Sequence, residues 1–120
     1  MRDHRKLKAW RLADALALAV YRATATFPKA ELFGLTSQMR RGAVSVASNI
    51  VEGSARRSQA DYLRFLDMAF AAARELEYHV FLAQRLGYLK PELAQELQSR
   101  CEETCRVLSG LLRSLRELAP

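Results

Sequence analysis

The chain has 120 residues, half of them hydrophobic, and nineteen Lys and Arg against thirteen Asp and Glu give a formal charge of +6. That length suits one domain, residues 1–120, around one core, and the apolar content is ample for a folded globule. The longest apolar-rich stretch, around Ala69 to Ala73, is far too short to span a bilayer. No signal peptide is expected, because the opening Met1-Arg-Asp-His-Arg-Lys-Leu-Lys is charged and no clean apolar run follows. The expectation is a cytoplasmic protein with reduced thiols and no membrane partner.

Four helices follow in chain order. The first runs from about Lys8 to Thr26 and stops before Phe27-Pro28, because a residue preceding proline avoids the helical region. A loop from Pro28 to Leu35 contains Gly34, after which Thr36 or Ser37 can cap a second helix. That helix reaches about Glu52, where Gly53 is placed to terminate it. Ser58-x-x-Asp61 resembles a capping box for a third helix, from about Gln59 to Leu86, closed by Gly87. Pro91 falls in the first turn of a fourth helix that runs to about Leu118. Strand signals are absent, and Ala, Leu, Arg, Glu and Gln dominate. Short joints favour antiparallel neighbours, so the expected fold is all-α, an antiparallel up-down-up-down four-helix bundle.

The helices differ in how much apolar surface they carry. The fourth has one apolar side, with Leu93, Leu97, Cys101, Leu108, Leu111, Leu112, Leu115 and Leu118, and one polar side. The second has two apolar faces. Met39, Ala43, Val46 and Ile50 form one; Val44 and Val51 form the other. Between them runs a polar stripe of Gln38, Arg41, Ser45, Ser48, Asn49 and Glu52. The third is apolar around most of its circumference, with Asp67, Arg74 and Glu75 on a narrow polar side. Helices apolar on more than one face need a further partner, so self-association is expected.

The stripe Gln38, Arg41, Ser45, Asn49, Glu52, joined by Glu75, reads as a structural polar network that fixes helix register or a subunit interface. Its functional alternative is a ligand or RNA contact. Arg outnumbers Lys fifteen to four. Arg suits bidentate phosphate contacts, although high-GC genomes enrich it too. The candidate phosphate contacts are the pairs Arg40-Arg41 and Arg56-Arg57 and the N-terminal group Arg2, Arg5, Lys6, Lys8 and Arg11, with Arg5, Lys6, Lys8, Arg40, Arg56 and Arg57 foremost. Their bland alternative is a solvated face or intersubunit ion pairing. No base-reading motif is present.

Catalytic and metal chemistry find no support. His4 and His79 are the only histidines, and three residues after Glu75 comes Tyr78 where a bundle di-iron site needs His. Cys101 and Cys105 read as small buried hydrophobes. No Gly-rich phosphate loop or nucleophile motif occurs. No cofactor, no metal and no enzymatic activity are expected.

The segment Phe27-Pro28, Glu31-Leu-Phe-Gly-Leu-Thr36, Gln38-Met-Arg40-Arg41 and Ser45-Val-Ala-Ser48-Asn49-Ile50-Val51-Glu52-Gly53 resembles a known family. Lys8-Ala-Trp10, Arg56, Phe65-Leu66, Ala69, Glu75-Leu76-Glu77 and Leu86-Gly87-Tyr88-Leu89 extend the likeness over nearly the whole chain. The family is that of proteins similar to those encoded in intervening sequences of bacterial 23S ribosomal RNA genes, sometimes labelled S23-type ribosomal proteins. It is related to accessory proteins of diversity-generating retroelements. The resemblance implies a four-helix bundle assembled as a ring-like homopentamer, and nucleic-acid binding, but no established biochemical activity. Two positions depart from the family pattern: Ala71-Ala72 stand where Gly-Ser is usual, and Arg40-Arg41-Gly42 replaces Arg-Arg-Ala. Gly42 costs about 1 kcal/mol of helix propensity relative to Ala and permits closer helix contact. The expected function is a non-enzymatic homo-oligomeric bundle that binds RNA or DNA through basic surface residues. The alternative is a homo-oligomeric protein-interaction scaffold with no nucleic-acid role.

Overall fold

The computed structural model describes residues 2–118. Helix α1 spans Lys8–Thr24, α2 Leu35–Ser54, α3 Gln59–Arg85 and α4 Pro91–Leu118, with short 3-10 turns at His4–Lys6 and Lys29–Glu31. Close backbone packing links α1 to α2, α2 to α3, α3 to α4 and α4 back to α1, while the diagonal pairs stay apart. Side chains give the directions. Arg40 early in α2 reaches Tyr21 and Thr24 late in α1, and Arg116 at the end of α4 pairs with Asp67 in the first half of α3. The result is an all-α, up-down-up-down bundle, a rod of 49 × 22 × 19 Å.

Helix boundaries follow local chemistry, with instructive departures. Ser58 Oγ accepts the Asp61 amide at 3.1 Å, the cap expected for α3. Neither Thr36 nor Ser37 caps α2. The turn at Lys29–Glu31 swings Glu31 back so that its Oε1 accepts the Leu35 amide at 3.1 Å, and α2 starts one residue before Thr36. Helix α1 ends two residues before the expected Thr26, where the Thr24 hydroxyl bonds the Val20 carbonyl.

Two glycines expected to stop helices behave differently. Gly87 has φ +81 and closes α3: its amide bonds the Gln84 carbonyl and the Tyr88 amide bonds the Ala83 carbonyl. That pairing is the Schellman arrangement, which favours glycine. Gly53 does not terminate α2, which runs on to Ser54. A Cβ at Gly53 would stand 2.8 Å from the Phe65 Cβ, so its role is to let α2 and α3 approach closely at their corner.

The core divides lengthwise into two clusters. Leu16, Val20, Met39, Leu76, Val80, Leu97 and Cys101 fill the end that carries the α1–α2 and α3–α4 loops. Ala13, Val46, Ile50, Leu66, Cys105, Leu108 and Leu112 fill the end that holds Arg2, the last turns of α4 and the α2–α3 corner. Each fully buried leucine contributes about 1.5–3 kcal/mol by leaving water. The apolar excess of α2 and α3 is only partly consumed. Val44, Met68, Tyr78 and Phe81 remain exposed, as do Leu18 and Tyr21 on α1. No helix among the described residues is long and apolar enough to cross a membrane.

Candidate nucleic-acid interface and the polar stripe

The antiparallel register collects arginines at the α2–α3 corner. Arg56 and Arg57 lie in the short joint between the helices, and the N-terminal segment brings Arg2 beside them. Arg2 donates to the Arg56 carbonyl at 2.8 Å and to Gln59 Oε1 at 3.1 Å, and its guanidinium lies 4.1 Å from the centre of the Tyr62 ring. Arg56 lies 4.6 Å over Phe65 and pairs with Glu52 at 3.9 Å. Cation–π contact on aromatic faces holds both planar heads while leaving donors free. Arg2, Ala55, Arg56 and Arg57 line an open groove of about 630 Å³. Such a surface can bind phosphate oxygens through several charge-assisted hydrogen bonds.

The other basic candidates are placed differently. Arg5 is clasped by its neighbour Asp3, with Nε to Oδ1 at 3.0 Å and Nη2 to Oδ2 at 3.2 Å. That hydrogen-bonded guanidinium holds the Asp3 carboxyl below its ordinary range. Lys6 and Lys8 are exposed. Arg40 is half-buried and stitches α2 to α1: Nε donates to Thr24 Oγ1 at 2.9 Å and the head lies 4.8 Å over Tyr21. Between Arg40 and the end of α2 at Ser54 lie about 21 Å of helix, and Arg56 lies beyond that end, so the two do not share a surface.

The polar stripe of α2 separates into three parts. Gln38, Arg41 and Ser45 face Glu75 across a groove of about 300 Å³ between α2 and α3, with Gly42, Ala72 and His79 completing its walls. Asn49 turns its amide back onto its own helix, donating to the Ser45 carbonyl at 2.8 Å and to Ser45 Oγ at 2.9 Å. Glu52 lies outside the groove and takes Arg56, one turn on, as its partner. Among the described residues, neither Arg41 nor Glu75 takes part in an ion pair. His79 Nδ1 is buried without a hydrogen-bond partner.

Sequence reasoning counts Arg2 among the N-terminal basic residues without placing it at the α2–α3 corner, and leaves His79 out of the polar group. His79 has a usable signal: it follows Glu75 by four residues and Ala72 by seven, one stripe of a helix. Nothing in the sequence places Arg2 at this corner, because that depends on how residues 2–7 fold against α3.

The cysteines are buried and unbridged. Burial pushes the Cys101 thiol up to about 12 and the Cys105 thiol up to about 11, so neither is a nucleophile near neutral pH. Among the described residues, no group of three or more His, Cys, Asp or Glu could hold a metal ion.

A small antiparallel bundle with basic side chains gathered at one corner defines the class of this molecule. The chain belongs to the 23S rRNA-intervening sequence protein family, whose model matches residues 5–110. Its fold is similar to the crystal structure of a protein of unknown function from the S23 ribosomal protein family of Bacteroides thetaiotaomicron. The TM-score is 0.81 at 22% identity, covering 88% of this chain and 95% of that one. At that identity the likeness carries the fold alone. No curated protein matches the chain.

Proposed function

We propose that this protein is a non-enzymatic, cytoplasmic bundle that assembles with copies of itself, as a pentameric ring, and holds RNA or DNA by its phosphates at the Arg2–Arg56–Arg57 corner. The observation that carries this reading is the convergence of three guanidinium groups from segments over fifty residues apart on one open groove, two of them stacked on aromatic rings. Repeating the corner around a ring multiplies a modest local charge into a large basic surface. Assembly is supported by the apolar side chains left exposed on α1, α2 and α3. Binding to the backbone alone is insensitive to sequence and strongly sensitive to salt.

Fluorescence anisotropy of labelled RNA and DNA over a salt series tests this. Arg56→Ala with Arg57→Ala is expected to weaken binding uniformly across sequences. It should also reduce the salt slope by roughly two, one for each phosphate that no longer meets an arginine. Wild-type protein with no salt-sensitive binding, or a double variant indistinguishable from it, sinks the nucleic-acid role.

The scaffold reading has one observation of its own. Phe33, at the loop end, is 93% exposed, with Leu32 half-exposed beside it, an arrangement suited to a hydrophobic pocket on another protein. Under that reading Phe33→Ser abolishes partner capture while nucleic-acid titrations stay flat.

A further inference from the structure

The α2–α3 groove carries unusual unsatisfied chemistry. Its floor is made small by Gly42 and Ala72, and a Cβ built on Gly42 would meet nothing within 4 Å. A cation, Arg41, and an anion, Glu75, face it from opposite helices, and neither has an ion-pair or hydrogen-bond partner among the described residues. His79 Nδ1 is buried there with no partner. Arg41 and Glu75 are both exposed, so their charged heads are free to take partners from outside the isolated chain. The two walls of the groove also fix what such a partner must present: a small apolar centre between a carboxylate and a cation.

The outer face of α1 presents that combination. Leu18 is 52% exposed, and Asp14 and Arg22 stand four residues to either side of it, both exposed. Side chains at this spacing share one stripe of a helix. Neither Asp14 nor Arg22 makes a side-chain hydrogen bond or ion pair within the described chain. Helix α4 offers no equal alternative, since its one large exposed hydrophobic residue is Leu118 in its last turn.

We infer that the occupant of the α2–α3 groove is the outer face of α1 from a second copy of this chain, with Leu18 seated over Gly42 and Ala72, Arg22 paired with Glu75, and Asp14 paired with Arg41. The two surfaces are different, so the contact is heterologous: each copy offers its α1 to one neighbour and its groove to the other, and a closing rotation makes a ring. The inference rests on the self-association proposed above and names its two faces. Like charges brought together at such a contact cost several kcal/mol, whereas opposite charges set its register.

A charge swap read by light scattering on the full chain, with circular dichroism as the folding control, tests it. Glu75→Arg and Arg22→Glu each place like charges in the contact, and each is expected to weaken assembly at least about tenfold with helicity unchanged. Combining them in one chain restores the opposite-charge pair and is expected to restore assembly. Gly42→Leu fills the floor and is expected to block assembly with helicity unchanged, since a Cβ there meets nothing within 4 Å. Wild-type protein that stays at monomer mass overturns self-association and this contact together. Wild-type oligomers that survive both single reversals, or a combined variant no better than the singles, overturn the contact and leave self-association standing.

Discussion

The two ends of the bundle are built from the same helices but treat their polar groups in opposite ways. At the loop end, Glu31 accepts both the Leu35 amide and the Tyr88 hydroxyl, the latter at 2.9 Å, and Tyr88 packs 5.5 Å from Phe27. One carboxylate thereby ties the α1–α2 loop to the α3–α4 loop and to the start of α2. At the corner end, Arg2 is tied to Arg56 and Gln59, but Arg57 is exposed and without a partner among the described residues, and the groove stays open. Closing polar groups on one another stabilises a fold, whereas donors left facing water remain available for a ligand. The contrast makes the loop end the fastened end and the corner the one with free donors, as the proposed binding role requires.

The largest test of that contrast is one in which it should vanish. Leu97→Ala in the loop-end cluster and Leu108→Ala in the terminal cluster both empty fully buried sites. Each is expected to cost about 2–5 kcal/mol in urea unfolding. A much smaller loss at Leu108 would mean that the terminal cluster packs loosely, and the division would lie in the core rather than at the surface.

Glycine replacement separates the ends more finely. Gly53→Ala forces a Cβ to within 2.8 Å of Phe65 and 3.3 Å of the Tyr62 ring, an overpacking expected to cost about 1–3 kcal/mol. Gly87→Ala meets no atom within 4 Å but must hold φ +81, which costs about 1–2 kcal/mol for a residue with a Cβ. Equal melting temperatures for Gly53→Ala and the wild type would show that the α2–α3 corner yields easily.

Polar deletions should divide by end. Tyr88→Phe removes the bond to Glu31 and is expected to lower the melting temperature without affecting nucleic-acid binding. Arg2→Ala is expected to weaken that binding with little effect on melting. A reversal of the two outcomes would exchange the roles of the ends.

The smallest effect concerns the thiols, one in each cluster. Both thiols titrate above the unfolded value of 9.0, Cys105 at about 11 and Cys101 at about 12. The raised values favour the neutral thiol, so their stabilisation is complete below pH 9.0 and is lost as pH rises through about 11 to 12. Native protein is expected to react slowly with a thiol reagent near neutral pH, Cys105 ahead of Cys101, and both quickly once unfolded. Fast labelling of either in the native state would show that its helix face opens.

Helix number, order and most boundaries were legible because they depend on neighbours three or four residues away. Ser58 capping Asp61, the stop at Gly87 and the start at Pro91 are of this kind. The cap of α2 escaped, since Glu31 acts from a turn that periodicity does not register. Gly53 reads as a terminator because a glycine at a helix end looks the same whether it relieves backbone strain or makes room for a neighbour. The stripe of α2 was visible as a stripe, but its partition among Arg56, Ser45 and the α3 groove was not.

The sequence by itself determined four amphipathic helices, short joints, a basic balance and the family to which the chain belongs. Each of these is written in local spacing or in a contiguous motif. Tertiary structure alone decided that Arg2 joins Arg56 and Arg57, that Tyr88 locks onto Glu31, and that His79 Nδ1 is buried at the groove that Arg41 and Glu75 line. These meetings join residues tens of positions apart, and they depend on the antiparallel register that packing of the two core clusters imposes.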